Sequence, residues 1–308
     1  SAASDVYKRQ VFVVMAAVAA LAVVLVFALT QESTAEETPK MDWAGVVTLG
    51  IAFLAIYLAI DEVGALAAAN WGLVAILVVI AVVFFVIFWN IESRKKDPMV
   101  TTHYLKQRRT WGLLLTTLLT MTGVFAIMNG VVPAIAQDPV MGVDMKPDMV
   151  SFATLTPYAL LGLCFGPVAG VLASKFGYRS VLRAGLIVSI AGVLFGIFLS
   201  NNASIPSLVI ISVVLGIAYA GTANIMLNGL GIVLSPEDNP GYLPGMNAGA
   251  FNLGAGLSFA VLYAVMDAFA MNGAQVGYSA AMIASAVLLG AALLVSLFIP
   301  KPSDADNS

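Results

Sequence analysis

Long apolar runs separated by short polar breaks make up most of the chain. Nine stretches read as helices, approximately 11–30, 43–60, 70–90, 112–136, 151–174, 182–200, 206–234, 246–271 and 278–299. A helix needs about 20 mostly apolar residues to cross roughly 30 Å of hydrocarbon, and these runs are near that length. Lipid offers no partner to an open backbone group, so each run must satisfy its amides within its own segment, as a helix does. The breaks hold Pro, Gly, Asn and Asp, as in Asn201-Asn202-Ala203-Ser204-Ile205-Pro206, and these residues favour turns. The pattern predicts an all-α, polytopic membrane protein with about nine transmembrane helices.

Composition agrees. Of 308 residues, 60% are hydrophobic and 10% charged, against roughly 25% charged in soluble domains. The mean hydropathy is +0.97. The net charge of -3 matters less than where the charges fall. If the spans alternate sides, Lys40, Arg94, Lys95, Lys96, Lys106, Arg108, Arg109, Lys175, Arg179, Arg183 and Lys301 share one side, and the other receives only Lys146. The positive-inside rule makes the first side cytoplasmic, with the C-terminal tail 300–308. Trp43, Trp71, Trp89 and Trp111 fall at span ends, where indole rings favour the headgroup region. Ser1 to Gln10 is polar, lacks an initiating Met and reads as a non-native scar, with Lys8 and Arg9 in it. The stretch 92–111 reads as a basic cytoplasmic linker on an anionic leaflet, with three spans before it and six after.

Several chemistries are excluded by what the chain carries. One cysteine, Cys164, allows no internal disulfide and no multi-Cys metal site, and it reads as a packed thiol. The one histidine, His103, falls in the linker and reads as a solvated loop residue. There is no phosphate-binding Gly-x-x-x-x-Gly-Lys-Ser/Thr loop, so hydrolysis-driven transport by this chain is excluded. The expectation is a protein that is not an enzyme, needs no cofactor or metal and binds no nucleic acid.

The stretch Gly170-Val171-Leu172-Ala173-Ser174-Lys175-Phe176-Gly177-Tyr178-Arg179 resembles the cytoplasmic-loop signature of major facilitators. Gly170, Lys175, Gly177 and Arg179 match, whereas Ser174 stands in place of the usual acid and Tyr178 in place of a basic residue. Asp42-Trp43-Ala44-Gly45, then Phe88-Trp89-Asn90-Ile91-Glu92-Ser93-Arg94 with Asp97-Pro98, then Gln137, Thr156-Pro157 and the glycine-rich stretch Gly241 to Gly256 are similar to the second half of fourteen-span drug/proton antiporters. The resemblance covers nearly everything after residue 10. It implies the major facilitator fold, with 11–30 as the last helix of an N-terminal bundle that is mostly missing. It further implies a central two-helix insert at 31–91 and a complete six-helix bundle at 112–299 with inverted three-plus-three symmetry. Gly162, Gly166 and Pro167, and likewise Gly245, Gly249 and Gly254, read as close helix packing, with a kink at Pro167.

No ionisable residue falls at mid-span. Asp61, Glu62 and Asp267 lie near span ends and read as interface residues. The candidates for a substrate cavity are therefore neutral: Asn129, Gln137, Tyr158, Tyr219, Asn224, Asn228 and Asn252, with Asn247 and Tyr263 beside them. Asn224 and Asn228 share a helix face at i, i+4 and lead this list. Interhelical hydrogen bonding is the competing role for each amide and phenol. The resemblance implies a secondary transporter of the inner cell membrane that exchanges a small amphipathic molecule for protons, working as a monomer. An importer or lipid permease on the same fold, and a non-transporting scaffold or subunit, remain open alternatives.

Overall fold

The computed structural model describes residues 2–29, 42–64, 68–95 and 102–302. Among them every regular element is helical. The chain divides into two compact units, residues 1–41 and 42–308. The first holds a single helix, α1 (Ala2–Leu29). It starts inside the polar stretch 1–10, and its apolar part, Met15–Leu29, is shorter than a full span. The described residues thus contain eight helices long and apolar enough to cross a membrane, not nine, because polar residues occupy the first part of α1.

Those eight belong to the second unit: α2 (Trp43–Gly64), α3 (Trp71–Glu92), α4 (Arg108–Gln137), α5 (Pro147–Phe176), α6 (Tyr178–Asn201), α7 (Ile205–Val233), α8 (Tyr242–Ala270) and α9 (Ala274–Ser296). Local chemistry sets their ends. Asn70 caps α3 by accepting the Leu73 N–H at 3.1 Å. Ser204 and Ser207 form a capping box at the start of α7, with Pro206 where a missing N–H costs nothing. Gly177, at φ +82°, turns the chain between α5 and α6 in one residue. Three π-helical segments interrupt the helices, Ile127–Val131 in α4, Ser151–Leu155 in α5 and Gly216–Ala223 in α7. The first two directly precede a first turn holding Pro133 or Pro157, residues that cannot donate to the helical ladder.

Both ends of the second unit are tied by named contacts. At the basic end Tyr104 donates to Asp238 and packs on Tyr242, Trp111 packs on Phe298, and Arg183 donates to the Ser296 carbonyl at 3.0 Å. At the opposite end Tyr278 donates to Asp138 at 3.1 Å and Gln275 donates to Asn201. Between them α4 packs on α8 and α9, α7 packs on α5 and α6, and α6 packs on α9. Exchanging α4 with α7, α5 with α8 and α6 with α9 leaves these contacts unchanged. The two triplets start from opposite ends of the bundle, so the exchange is an inverted one. The α2–α3 hairpin lies outside this pattern and packs through α2 on α8.

The bundle interior is held by small and hydroxyl residues. A Cβ at Gly254 would stand 2.6 Å from Met121 Cβ, one at Gly162 2.7 Å from Ala220 Cβ, and one at Gly185 2.8 Å from the Ala218 carbonyl. Thr116 and Thr120 in α4 are buried and donate to carbonyls one turn back. Without a hydrophobic force between helices in lipid, such close approach and internal hydrogen bonding are what bring helices together.

Candidate substrate surface

Four of the predicted amides follow one local rule. Asn129 in α4, Asn228 in α7 and Asn252 in α8 each donate to the carbonyl of residue i−4, at 2.9, 3.0 and 3.0 Å, and Gln137 does so at 3.1 Å. All four are exposed on this chain. A backbone carbonyl accepts only, so each bond fixes which end of the amide faces outward: the carbonyl oxygen. Asn228 makes a second bond, from the same nitrogen to Asn224 Oδ1 at 2.8 Å. That fixes Asn224 as well and leaves its Nδ2 beside the outward Oδ1 of Asn228. The pair therefore offers one donor and one acceptor side by side.

Aromatic rings stand on the same helices. Phe125 of α4 meets Phe259 of α8 edge to face, with centroids 5.9 Å apart, and Phe259 meets Tyr263 at 5.9 Å. Gly130, next to Asn129, admits them, since a Cβ there would lie 2.6 Å from the Tyr263 hydroxyl. The sequence singles out Tyr263 but not the two phenylalanines, whose spacing is that of ordinary apolar helix residues. Phe259 and Tyr263 also line a cavity of about 460 Å³ with Tyr57, Asp61 and Asp267 between the far ends of α2 and α8. Gln137 sits apart from the Asn pair, lining a cavity of about 530 Å³ with Asp138 and Tyr278 at the end away from the basic residues.

Several assignments change. Tyr219 is buried at 2% exposure and donates to Met121 Sδ at 2.5 Å, which makes it a bond between α7 and α4 rather than a cavity wall. Asn247 is likewise interior: its Oδ1 accepts from Thr117 at 2.6 Å and its Nδ2 donates to the Leu227 carbonyl at 3.3 Å, joining α4, α7 and α8. Tyr158 is half-buried, and its backbone carbonyl would lie 2.6 Å from a Cβ at Gly216. Gly245 and Gly249 do not pack as expected. Nothing in the described residues lies within 4 Å of a Cβ at either, and both line a groove of about 850 Å³ with Trp111, Leu118 and Phe53. Gly166 meets Ile225 only at ordinary contact, 3.8 Å, whereas Gly162 and Gly254 are tight. Cys164 is exposed, not packed.

In the loop signature, Gly177 makes the turn, Gly170 has open space around it, and Lys175 is exposed. Ser174, exposed, donates to the Val171 carbonyl at 2.8 Å, so it engages its own helix where an acid would offer charge. Arg179 is half-buried. Pro167 stands inside α5, exposed, and leaves the Leu163 carbonyl without its usual donor. Lys40, Lys96, Asp97 and Pro98 lie outside the described residues, as does the side chain of His103. No group of three or more His, Cys, Asp or Glu able to hold a metal occurs among the described residues. Just beyond α4, hydrogen bonds from the Met141 and Val140 amides hold the Asp138 carboxyl below the usual carboxylate range.

With this geometry in place, likeness to known proteins adds a second kind of information. The sequence profile described as Major Facilitator Superfamily matches residues 3–258 and, in a second alignment, 113–308. The chain is 54% identical over 302 residues to a uridine/deoxyuridine transporter of Lactococcus lactis subsp. cremoris (strain MG1363), covering 96% of this chain and 63% of that protein. It is 24% identical over 195 residues to multidrug resistance protein 3 of Bacillus subtilis (strain 168), covering 62% and 36%. It is also 24% identical over 265 residues to multidrug resistance protein Stp of Mycobacterium tuberculosis (strain ATCC 25618 / H37Rv), covering 85% and 47%. The chain thus spans less than two thirds of the length of each of these relatives.

Proposed function

The chain belongs to the major facilitator superfamily, and from that premise we propose that it serves in a secondary transporter for pyrimidine nucleosides. The 54% identity to a uridine/deoxyuridine transporter over 96% of the chain carries this reading. The surface chemistry supports it. Uracil presents alternating C=O, N–H and C=O groups along its imide edge, and the adjacent Asn224 Nδ2 and Asn228 Oδ1 complement one C=O and the N–H between. The outward carbonyls of Asn129 and Asn252 suit sugar hydroxyls, which donate. Rings such as Phe125 and Phe259 give a base a flat apolar partner.

In this reading the two halves of a complete transporter rock about a central site by alternating access, with the basic helix ends cytoplasmic and α4, α7 and α8 turned to the substrate. Proton exchange supplies the driving force. The test is uptake of radiolabelled uridine by vesicles bearing the protein expressed from its complete gene. Uridine transport, inhibited by excess deoxyuridine and reduced at least tenfold in Asn228→Ala, is the expected result. Absence of uridine transport by a correctly inserted protein rejects the assignment.

A second reading, export of amphipathic drugs, is favoured by the multidrug relatives and by the groove at Gly245 and Gly249. It predicts proton-driven extrusion of a lipophilic cationic dye. It also predicts that Gly249→Leu, which fills the groove, reduces dye export and leaves uridine uptake unchanged.

A further inference from the structure

Two carboxyl groups meet where α2 begins and α3 ends. Asp42 immediately precedes α2, and its side chain is 6% exposed. Glu92 is the last residue of α3 and is 1% exposed. Gly45 permits the encounter, because a Cβ there would stand 2.7 Å from Asp42 Oδ2 and 2.7 Å from Glu92 Oε1. Asp42 Oδ1 accepts the Gly45 N–H at 2.8 Å and the Lys95 ammonium. Asp42 Oδ2 is fully buried on the Glu92 side, where its partner is the Glu92 carboxyl.

Charge decides what this arrangement holds. Two ionised carboxylates and one lysine would leave a net negative charge in a buried pocket at the membrane boundary, where Trp43 and Trp89 mark the headgroup level. Two carboxylates in contact do not both ionise. Adding one proton makes the cluster neutral and provides the missing donor between them. The hydrogen bond from Glu92 acts most strongly on Asp42, followed by the opposing effect of burial and then by the bonds from Lys95 and Gly45. Together they hold the Asp42 carboxyl well below the usual range, which leaves the shared proton on Glu92. The charged groups that act on Asp42 are Glu92 and Lys95. Arg94 is exposed beside them. On the other side of α2, α8 carries Tyr242, Tyr263 and Asp267, none of which acts on Asp42.

We propose that Asp42 and Glu92 form a proton-binding site in which one shared proton latches the basic end of the α2–α3 hairpin, with Lys95 fastening the start of the linker to the same point. Loss of the proton sets two carboxylates against each other and drives the helix ends apart. This site is independent of the substrate assignment, because it lies in the hairpin and not in the six-helix bundle.

The test uses infrared difference spectroscopy on the protein expressed from its complete gene and reconstituted in lipid. Wild type should show a protonated-carboxyl band at neutral pH that disappears on alkalinisation and is absent in Glu92→Gln. Spin labels at positions 44 and 90, in a Cys164→Ser background, should separate as the band disappears and stay at the neutral-pH distance at every pH when Glu92→Gln is added. Asp42→Asn gives an independent reading: Glu92 then ionises against Lys95, and the band is lost at neutral pH. A band that survives Glu92→Gln or Asp42→Asn overturns the proton site. A label distance that ignores pH in wild type overturns the latch.

Discussion

Helices α3 and α4 invert the rule that governs soluble proteins. α3 is the most apolar of the eight spans, yet only 11% of its most apolar stretch is buried, while α4, much less apolar, is 67% buried. The residues that α4 hides include Thr110, Thr116, Thr117, Thr120 and Thr122. Lipid is as apolar as leucine, so nothing drives α3 to the inside, and hydroxyl groups that bond within the bundle are better placed there. Helix α5 completes the contrast. It is as little buried as α3, at 11%, but about as weakly apolar as α4. An open face of that composition, with Tyr158 and Cys164 on it, matches a water-lined path or a protein partner better than a lipid coat.

A charge on the coat is the sharpest way to break this comparison. Val79→Asp, on the exposed face of α3, should cost about 2.5–3.5 kcal/mol of insertion, read as a fall in the membrane-inserted fraction. The equivalent change at exposed Asn228 should leave insertion far less affected. Next in size, Gly254→Leu forces α4 from α8, where a Cβ already lies 2.6 Å from Met121, and should lose about 2–3 kcal/mol by thermal unfolding in detergent. Gly249→Leu, with open space around it, should unfold as wild type does.

Asn247→Leu removes two interhelical bonds and should cost about 1 kcal/mol in the same assay, whereas Asn252→Leu, bonded only to its own helix, should cost less. The smallest effect is one of pH. The Asp138 carboxyl is lowered by the Met141 and Val140 amides, so it stabilises the turn after α4 fully above its ordinary value of 3.8. That contribution disappears as pH falls further, through the lowered value. Amide exchange at Val140 and Met141 should therefore speed up below about pH 4 and be pH-independent, after intrinsic correction, in Asp138→Asn.

How much of this could be read from the residues depended on the kind of signal. Span positions were legible because lipid sets a minimum apolar length: the run 206–234 became Ile205–Val233, and 43–60 became Trp43–Gly64. Glycine roles were not. Gly245-x-x-x-Gly249 has the spacing of a packing motif, and so does Gly162-x-x-x-Gly166, yet only Gly162 in these pairs meets a neighbour closely. Spacing fixes a shared face, and what lies against that face is decided by other helices. Tyr219 and Asn247 were indistinguishable from Asn228 for the same reason: a polar residue within a span is either a bond between helices or a contact for cargo. Asp42 and Glu92 stood in view as parts of a resemblance, but their meeting at Gly45 depends on the return of a chain fifty residues later.

The amides bonded to their own helix turns have a consequence for speed. An Asn that already donates to the carbonyl one turn back is at rest before any cargo arrives, so an empty surface holds no strained or thirsty group waiting to be filled. What it can add on contact is limited to the valences left over. Such a surface grips lightly and lets go readily, and letting go on the far side of the membrane is half of every turnover cycle.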